Sequence, residues 1–346
     1  MQNPFTTTFS KLPEFTYIET RQTDEILNNF SYDVPSESVY KITGVRGSGK
    51  TVLLAKIEEE LINKNWIVID VSPNRDILLQ IASKLEDKGY KYNGGKGKNF
   101  NVSLSVLGAH GGFGYSDDHN NIDIGTIIDG QLTKIKSQNK KVLIGIDEVS
   151  KNENMILFSS EFGRWLRMGL PVYVVCTGLY ENLEELSNVK NLTFFRRATT
   201  IKTEPLDFVK MSGIYKNKLC IETEEAKKMA ELTKGYAYAF QLLGALLFKA
   251  DNNTSEVIEN LKYELFSYSY QKIWEELSEN DRLLIKTITN KEEYKREEVL
   301  ELLGPKSNMY SVYRDRLLKR GLIHTRNSYI SLALPFFDEY VKEYFK

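Results

Sequence analysis

Residues 44 to 51 read Gly44-Val-Arg-Gly-Ser-Gly-Lys-Thr51, a complete G-x-x-x-x-G-K-T match. A phosphate chain needs several backbone N–H groups converging on it, and side chains along the loop obstruct that approach. Gly44, Gly47 and Gly49 clear the way and permit positive φ. Val45, Arg46 and Ser48 complete the cradle with their backbone. Lys50 has the reach and charge for the β- and γ-phosphates, and the Thr51 hydroxyl suits Mg²⁺. The loop is expected to end at a helix N-terminus, where the dipole favours anions.

The flanks agree. Ser38-Val-Tyr-Lys-Ile-Thr43 is short, carries β-branched residues and reads as a strand entering the loop. From Thr51 to Lys64, Val52, Leu53, Leu54, Ile57, Leu61 and Ile62 recur at helical spacing. A second motif, Lys141-Val-Leu-Ile-Gly-Ile-Asp-Glu148, is an apolar run ending in two carboxylates. Such a run predicts a central parallel strand buried on both faces. Asp147 at its end is expected to hold the Mg²⁺ shell, and Glu148 to polarise an attacking water.

The remaining elements alternate in the same way. Trp66–Val71 predicts a strand, Asn74–Lys88 a helix, Ile122–Ser137 a helix and Asn152–Met168 another. Pro171–Thr177 and Ala198–Thr203 predict strands. This order gives an α/β fold: a doubly wound, mostly parallel sheet with its ligand site at the strand C-terminal ends. Lys91 to Asn121 interrupts it with seven glycines and an alternation of Phe100, Val102, Leu104 and Val106, which predicts an inserted hairpin. From Pro205 the pattern turns helical, with segments near 207–218, 223–234, 236–250 and 255–272. Helices over 277–287, 296–303 and 307–320, then strands at 321–324 and 328–333, describe a winged helix-turn-helix. The expected domains are 1–204, 205–270 and 271–346.

Between Gly304 and Arg326 stand six basic residues and one acid, Asp315. Lys306, Arg314, Arg316, Lys319 and Arg320 are the candidate DNA contacts, and positions 316, 319 and 320 share a helical face. Globally the chain is near neutral, at −1, so any nucleic-acid site is local. With 41% hydrophobic and 27% charged residues among 346, the composition is that of an ordinary globular protein. Of the two cysteines, Cys176 lies in an apolar strand-like run and reads as a buried reduced thiol, and the three histidines lack metal-ligand spacing. The polar start has no signal-type apolar stretch and no run reaches membrane-spanning length, so a cytoplasmic protein without a membrane partner is expected.

The phosphate loop, the acidic strand and the downstream helices together resemble the AAA+ ATPases. Asn3-Pro-Phe5, Cys176-Thr-Gly178, Phe194-Phe-Arg-Arg197, Gly235-Tyr236 and Leu332-Ala-Leu-Pro335 fall in the order of one branch of that superfamily. It joins origin-recognition-type initiators to archaeal-type ATPases related to STAND regulators. The resemblance implies ATP hydrolysis with a helical lid over the core. It assigns Thr177 to the sensor-1 position, near the γ-phosphate or the attacking water. It makes Arg196 and Arg197 candidates for an arginine finger reaching a neighbouring subunit, and so implies a homo-oligomer. The lid segment Gly235-Tyr-Ala-Tyr-Ala239 departs from the pattern, lacking a sensor-2 arginine and carrying Ala237 where relatives have proline. The leading expectation is an ATP-hydrolysing protein whose nucleotide state controls assembly or the engagement of double-stranded DNA through the winged helix; the alternative is a STAND-like signalling or defence switch whose winged helix binds protein.

Overall fold

The computed structural model describes residues 2–8, 11–92, 123–190, 192–250 and 254–345. The hairpin expected over 91–121 lies outside the described residues from position 93 onward. Strands β1 (Val39–Thr43), β2 (Ile67–Val71), β3 (Val142–Ile146), β4 (Val172–Gly178) and β5 (Thr199–Lys202) form one sheet in the order β2-β3-β4-β1-β5. β3 runs parallel to β2, pairing Val142 with Ile67, and parallel to β4, pairing Val142 with Val172. β1 advances with β4: Ser38 O accepts from Val174 N and Tyr40 O from Cys176 Sγ. Every residue of β3 is buried, which is why its sequence is an unbroken apolar run rather than an alternating one.

Helix α1 (Arg21–Ser31) precedes β1, and α2 (Lys50–Asn63), α3 (Ile77–Asp87), α4 (Ile124–Ser137), α5 (Glu153–Arg167), α6 (Tyr180–Ser187) and α7 (Thr193–Arg197) lie between the strands. Three of them start later than their apolar pattern predicts. The carboxylates of Asp76 and Asp123 and the amide oxygen of Asn152 cap α3, α4 and α5 by accepting from the N–H of Leu79, Thr126 and Met155. A capping side chain sits outside the helix it begins.

Beyond β5 come α8 (Phe208–Leu219), α9 (Thr223–Leu232), α10 (Ala237–Lys249) and α11 (Thr254–Glu264). The last of these runs through a π-helical turn, Leu265–Tyr270, into α12 (Gln271–Glu275). Then follow α13 (Glu279–Thr287), β6 (Tyr294–Lys295), α14 (Arg296–Leu303), a 3₁₀ turn Gly304–Met309, α15 (Tyr310–Arg320), β7 (Ile323–Arg326), β8 (Tyr329–Leu332) and α16 (Phe337–Tyr344). The two-stranded wing expected here is a three-stranded antiparallel sheet, ordered β6-β8-β7. A capping box, in which Ser278 and Asp281 satisfy each other's backbone, starts α13.

The chain divides into two compact units. One comprises Met1–Asp24, Thr43–Ala55 and Lys202–Lys346, and the other Glu25–Ile42 and Lys56–Ile201. The first therefore contains the phosphate-loop segment and everything from Lys202 onward. A single apolar core runs through it, from Phe5, Tyr215 and Phe240 to Tyr270, Phe337 and Tyr340. Tyr270 packs edge-on against Phe337 with centroids 5.0 Å apart. The boundary expected at 270/271 thus falls at the end of the π-turn and makes no break in the core. The second unit buries Ile69, Val71, Ile144, Ile146, Phe162 and Trp165 around the sheet.

Candidate functional site

The phosphate-loop segment leaves β1 and enters α2, so Lys50 is the first residue of a helix, as an anion cradle requires. Gly47 and Gly49 hold φ of +73° and +90°. At Gly47 the reason is also steric: a Cβ there would lie 2.3 Å from Tyr236 Oη. At Gly44 a Cβ would fall 1.9 Å from Thr203 Oγ1, which itself donates to Ser48 Oγ at 2.8 Å. Part of the glycine requirement is therefore set by packing against the loop, a reason that a motif alone does not reveal. Tyr238 N donates to Gly47 O at 3.0 Å, so the start of α10 is bonded to the loop. Lys50 Nζ donates to the carbonyls of Gly44 and Val45 at 3.0 Å each. Thr51, in the first turn of α2, and Ser48 are half-buried.

In the other unit, Asp147 and Glu148 follow β3 directly. Glu148 is exposed and takes a left-handed backbone, φ +54°, which costs a non-glycine residue about 1–2 kcal/mol. Two bonds hold it there. Thr177 Oγ1 accepts from the Glu148 N–H at 3.1 Å, and Thr177 O accepts from the Val149 N–H at 2.8 Å. The same hydroxyl donates to Asp147 Oδ1. Thr177 is 0% exposed. Its hydroxyl joins the two carboxylate-bearing residues to the end of β4.

Nearby, burial first, then the charges of Asp70 and Asp147, push the Glu58 carboxyl up to about 7. Its Oε1 is buried with no hydrogen-bond partner. Arg196 and Arg197 end α7, both exposed. What carries that helix is a residue the motif reading passed over. Lys41, 5% exposed in the middle of β1, donates to Phe195 O at 2.9 Å and lies 5.3 Å from the Phe195 ring centre. Burial lowers its pKa. The available signal was a lysine between Tyr40 and Ile42 in a short strand whose every residue is buried.

The basic residues of the C-terminal segment are not gathered on one exposed face. Arg316 grips Asp281 with Nε at 2.9 Å and Nη2 at 2.7 Å, and Asp281 is 1% exposed. Arg320 is 9% exposed and lies 3.9 Å from Glu276 Oε2. Arg314 pairs with Asp315 at 2.6 Å. Lys306 and Lys319 are exposed. The solvent face of α15 therefore consists of Ser311, Val312, Asp315 and Lys319. Arg21 pairs with Glu204 at 2.7 Å.

The glycine loop at a helix N-terminus and the strand order β2-β3-β4-β1-β5 define a P-loop ATPase fold of the AAA+ type. A solved structure with that architecture, the Walker-type ATPase PABY2304 of Pyrococcus abyssi, matches 96% of this chain and 98% of its own. Its TM-score is 0.63 at 11% identity, so the likeness is one of fold. Cdc6p from Pyrobaculum aerophilum matches with a TM-score of 0.49 at 14% identity, covering 98% of both chains. A STAND protein with a tetratricopeptide repeat sensor from Pyrococcus horikoshii gives 0.41 at 18% identity, with 99% of this chain covering 44% of that one. Residues 267–341 match a family model described as a domain of unknown function, DUF8462. No curated protein matches the chain. Among the described residues no helix is long and apolar enough to cross a membrane, and no group of three His, Cys, Asp or Glu could hold a metal ion.

Proposed function

We propose that this protein binds Mg·ATP and hydrolyses it slowly to ADP and phosphate, acting as a nucleotide-dependent switch. The observation that carries the reading is the loop at the head of α2, with Gly47 and Gly49 at positive φ and Lys50 as the first helical residue. The residues fit the group: Lys50 already donates to carbonyl oxygens of the loop, which aims its ammonium, a three-donor group, at the cradle where phosphate oxygens would lie. Thr51 and Asp147 would hold Mg²⁺, which when bound neutralises charge on the phosphates. Glu148 orients the attacking water and takes its proton as the bond to the leaving oxygen breaks. Thr177 fixes the carboxylate of Asp147 and the backbone of Glu148. Arg196 and Arg197, exposed at the end of α7, are the candidates for charge supplied to a neighbouring copy.

A titration with ATP tests this. Lys50→Ala should lose nucleotide affinity. Glu148→Gln should still bind ATP but turn over about 10²-fold more slowly, the scale of general-base loss. Unchanged affinity in Lys50→Ala would overturn the reading.

We read residues 271–346 as a winged helix that engages a macromolecule. Of the two partner classes, protein is favoured over duplex DNA. The supporting observation is that Arg316 and Arg320 are engaged by Asp281 and Glu276, which leaves α15 a solvent face with one acid, one base and an exposed Val312.

A further inference from the structure

Thr203 follows β5, and its N–H donates to the carbonyl of Thr43, the last residue of β1, at 2.8 Å. The chain after β5 is thereby joined to β1 just where the phosphate loop begins. From there the Thr203 side chain reaches across Gly44 to Ser48, donating from Oγ1 to Oγ at 2.8 Å. A Cβ on Gly44 would lie 1.9 Å from Thr203 Oγ1 and 2.6 Å from Ser48 Oγ. The two hydroxyls thus fill the space that the first glycine of the loop leaves bare. All four residues belong to one compact unit.

Ser48 is the residue before Gly49 and Lys50, where the anion cradle meets the head of α2. Its N–H donates to Val45 O at 3.2 Å, which closes a turn over residues 45 to 48. The middle of that turn is held by its carbonyls: Arg46 O accepts from Tyr236 Oη at 2.6 Å and Gly47 O from Tyr238 N–H at 3.0 Å. Thr203 holds the end nearest the cradle, through a side chain. Such holds matter here because glycine loses more freedom on ordering than any other residue, and Gly44, Gly47 and Gly49 all lie in this stretch.

We propose that Thr203 is a positioning residue for nucleotide binding. By fixing Ser48 across Gly44, it keeps the loop in the phosphate-receiving form before a nucleotide arrives. This rests on the nucleotide-binding reading above. When only a fraction of a protein is in its binding-competent form, the apparent affinity falls by that fraction. Removing the Thr203 hydroxyl lowers the fraction and leaves every group of the cradle itself in place. It also gives Gly44 a second role: the glycine makes room for a bond between two other residues, beside its own approach to phosphate.

The test uses the full chain and titration with a fluorescent ATP analogue. Thr203→Ala should weaken binding about fivefold, the scale of one hydrogen bond. Thr203→Ser, which keeps the hydroxyl, should bind like wild type. Ser48→Ala removes the same bond from the other side without touching the residue after β5, so it should show a similar loss even if Thr203→Ala folds poorly. The two substitutions together should lose no more than either alone, because they break one bond. Without nucleotide, each should speed amide hydrogen exchange over residues 45–48. Wild-type affinity in both single variants, losses that multiply in the double variant, failure of Thr203→Ser to restore binding, or unchanged exchange would overturn the positioning role alone. Wild-type protein that binds no nucleotide would overturn the nucleotide-binding reading, and the positioning role with it.

Discussion

Thr177 has no exposed surface, yet its hydroxyl makes two bonds, one donated to Asp147 and one accepted from the Glu148 N–H. A threonine at a strand end often caps a turn. This one sets the backbone of a residue that would otherwise avoid φ +54°. Valine has the same shape without the hydroxyl, so Thr177→Val isolates the bonds from the packing. It leaves a partly buried N–H without its threonine acceptor and should cost about 1 kcal/mol of stability. It should also lower ATP turnover by about tenfold, the kinetic equivalent of one lost hydrogen bond. Thr177→Ser, which keeps the oxygen, should recover most of the turnover. A valine variant that melts and turns over like wild type would show that Glu148 is held by other means.

At the scale of elements, α10 shows how two opposing terms are weighed. Gly244 lies within this helix, where alanine normally gains about 1 kcal/mol of propensity over glycine. Here a Cβ would meet the Phe5 ring at 2.3 Å. Phe5 is buried against Tyr215 and Phe240, with centroids 5.8 and 6.1 Å away, and overpacking such a site costs about 1–3 kcal/mol. The packing term should win, so Gly244→Ala lowers the melting temperature; a rise would mean that Phe5 readily moves aside. The contrast with the sheet explains what a sequence reveals. The five residues of β3 are buried on both faces and so are apolar throughout, and α3, α4 and α5 announce themselves by apolar spacing and a capping side chain. The phosphate loop is legible because its chemistry is local. Phe5 against Gly244, Lys41 under Phe195 and Glu276 against Arg46 join positions 154 to 239 residues apart, and no local pattern marks them. β6 was missed because it is two residues long, and the π-turn because it continues the helical periodicity around it.

For the whole chain, the deciding quantity is where charge resides rather than how much there is. Six basic residues between 304 and 326 in a near-neutral protein suggest a phosphate backbone as partner. Yet Asp281, almost wholly buried at the head of α13, needs Arg316, and Glu276 stands between Arg46 and Arg320. The two kinds of role predict different outcomes of neutralisation. A phosphate contact, when lost, reduces the salt slope of binding by about one and leaves stability alone. A structural pair, when broken, leaves a buried carboxylate uncompensated, at a cost of up to about 3–5 kcal/mol. Ser278 also donates to the Asp281 carboxylate, so the loss here should be nearer 1–3 kcal/mol. Arg316→Gln should therefore lower the melting temperature, whereas Lys306→Gln and Lys319→Gln together should not. Duplex binding by the wild type at low salt should be weak, with a slope no steeper than about −3, the contribution of the exposed Lys306, Lys319 and Arg326. A slope near −5, flattened by Arg316→Gln without loss of stability, would return α15 to the DNA.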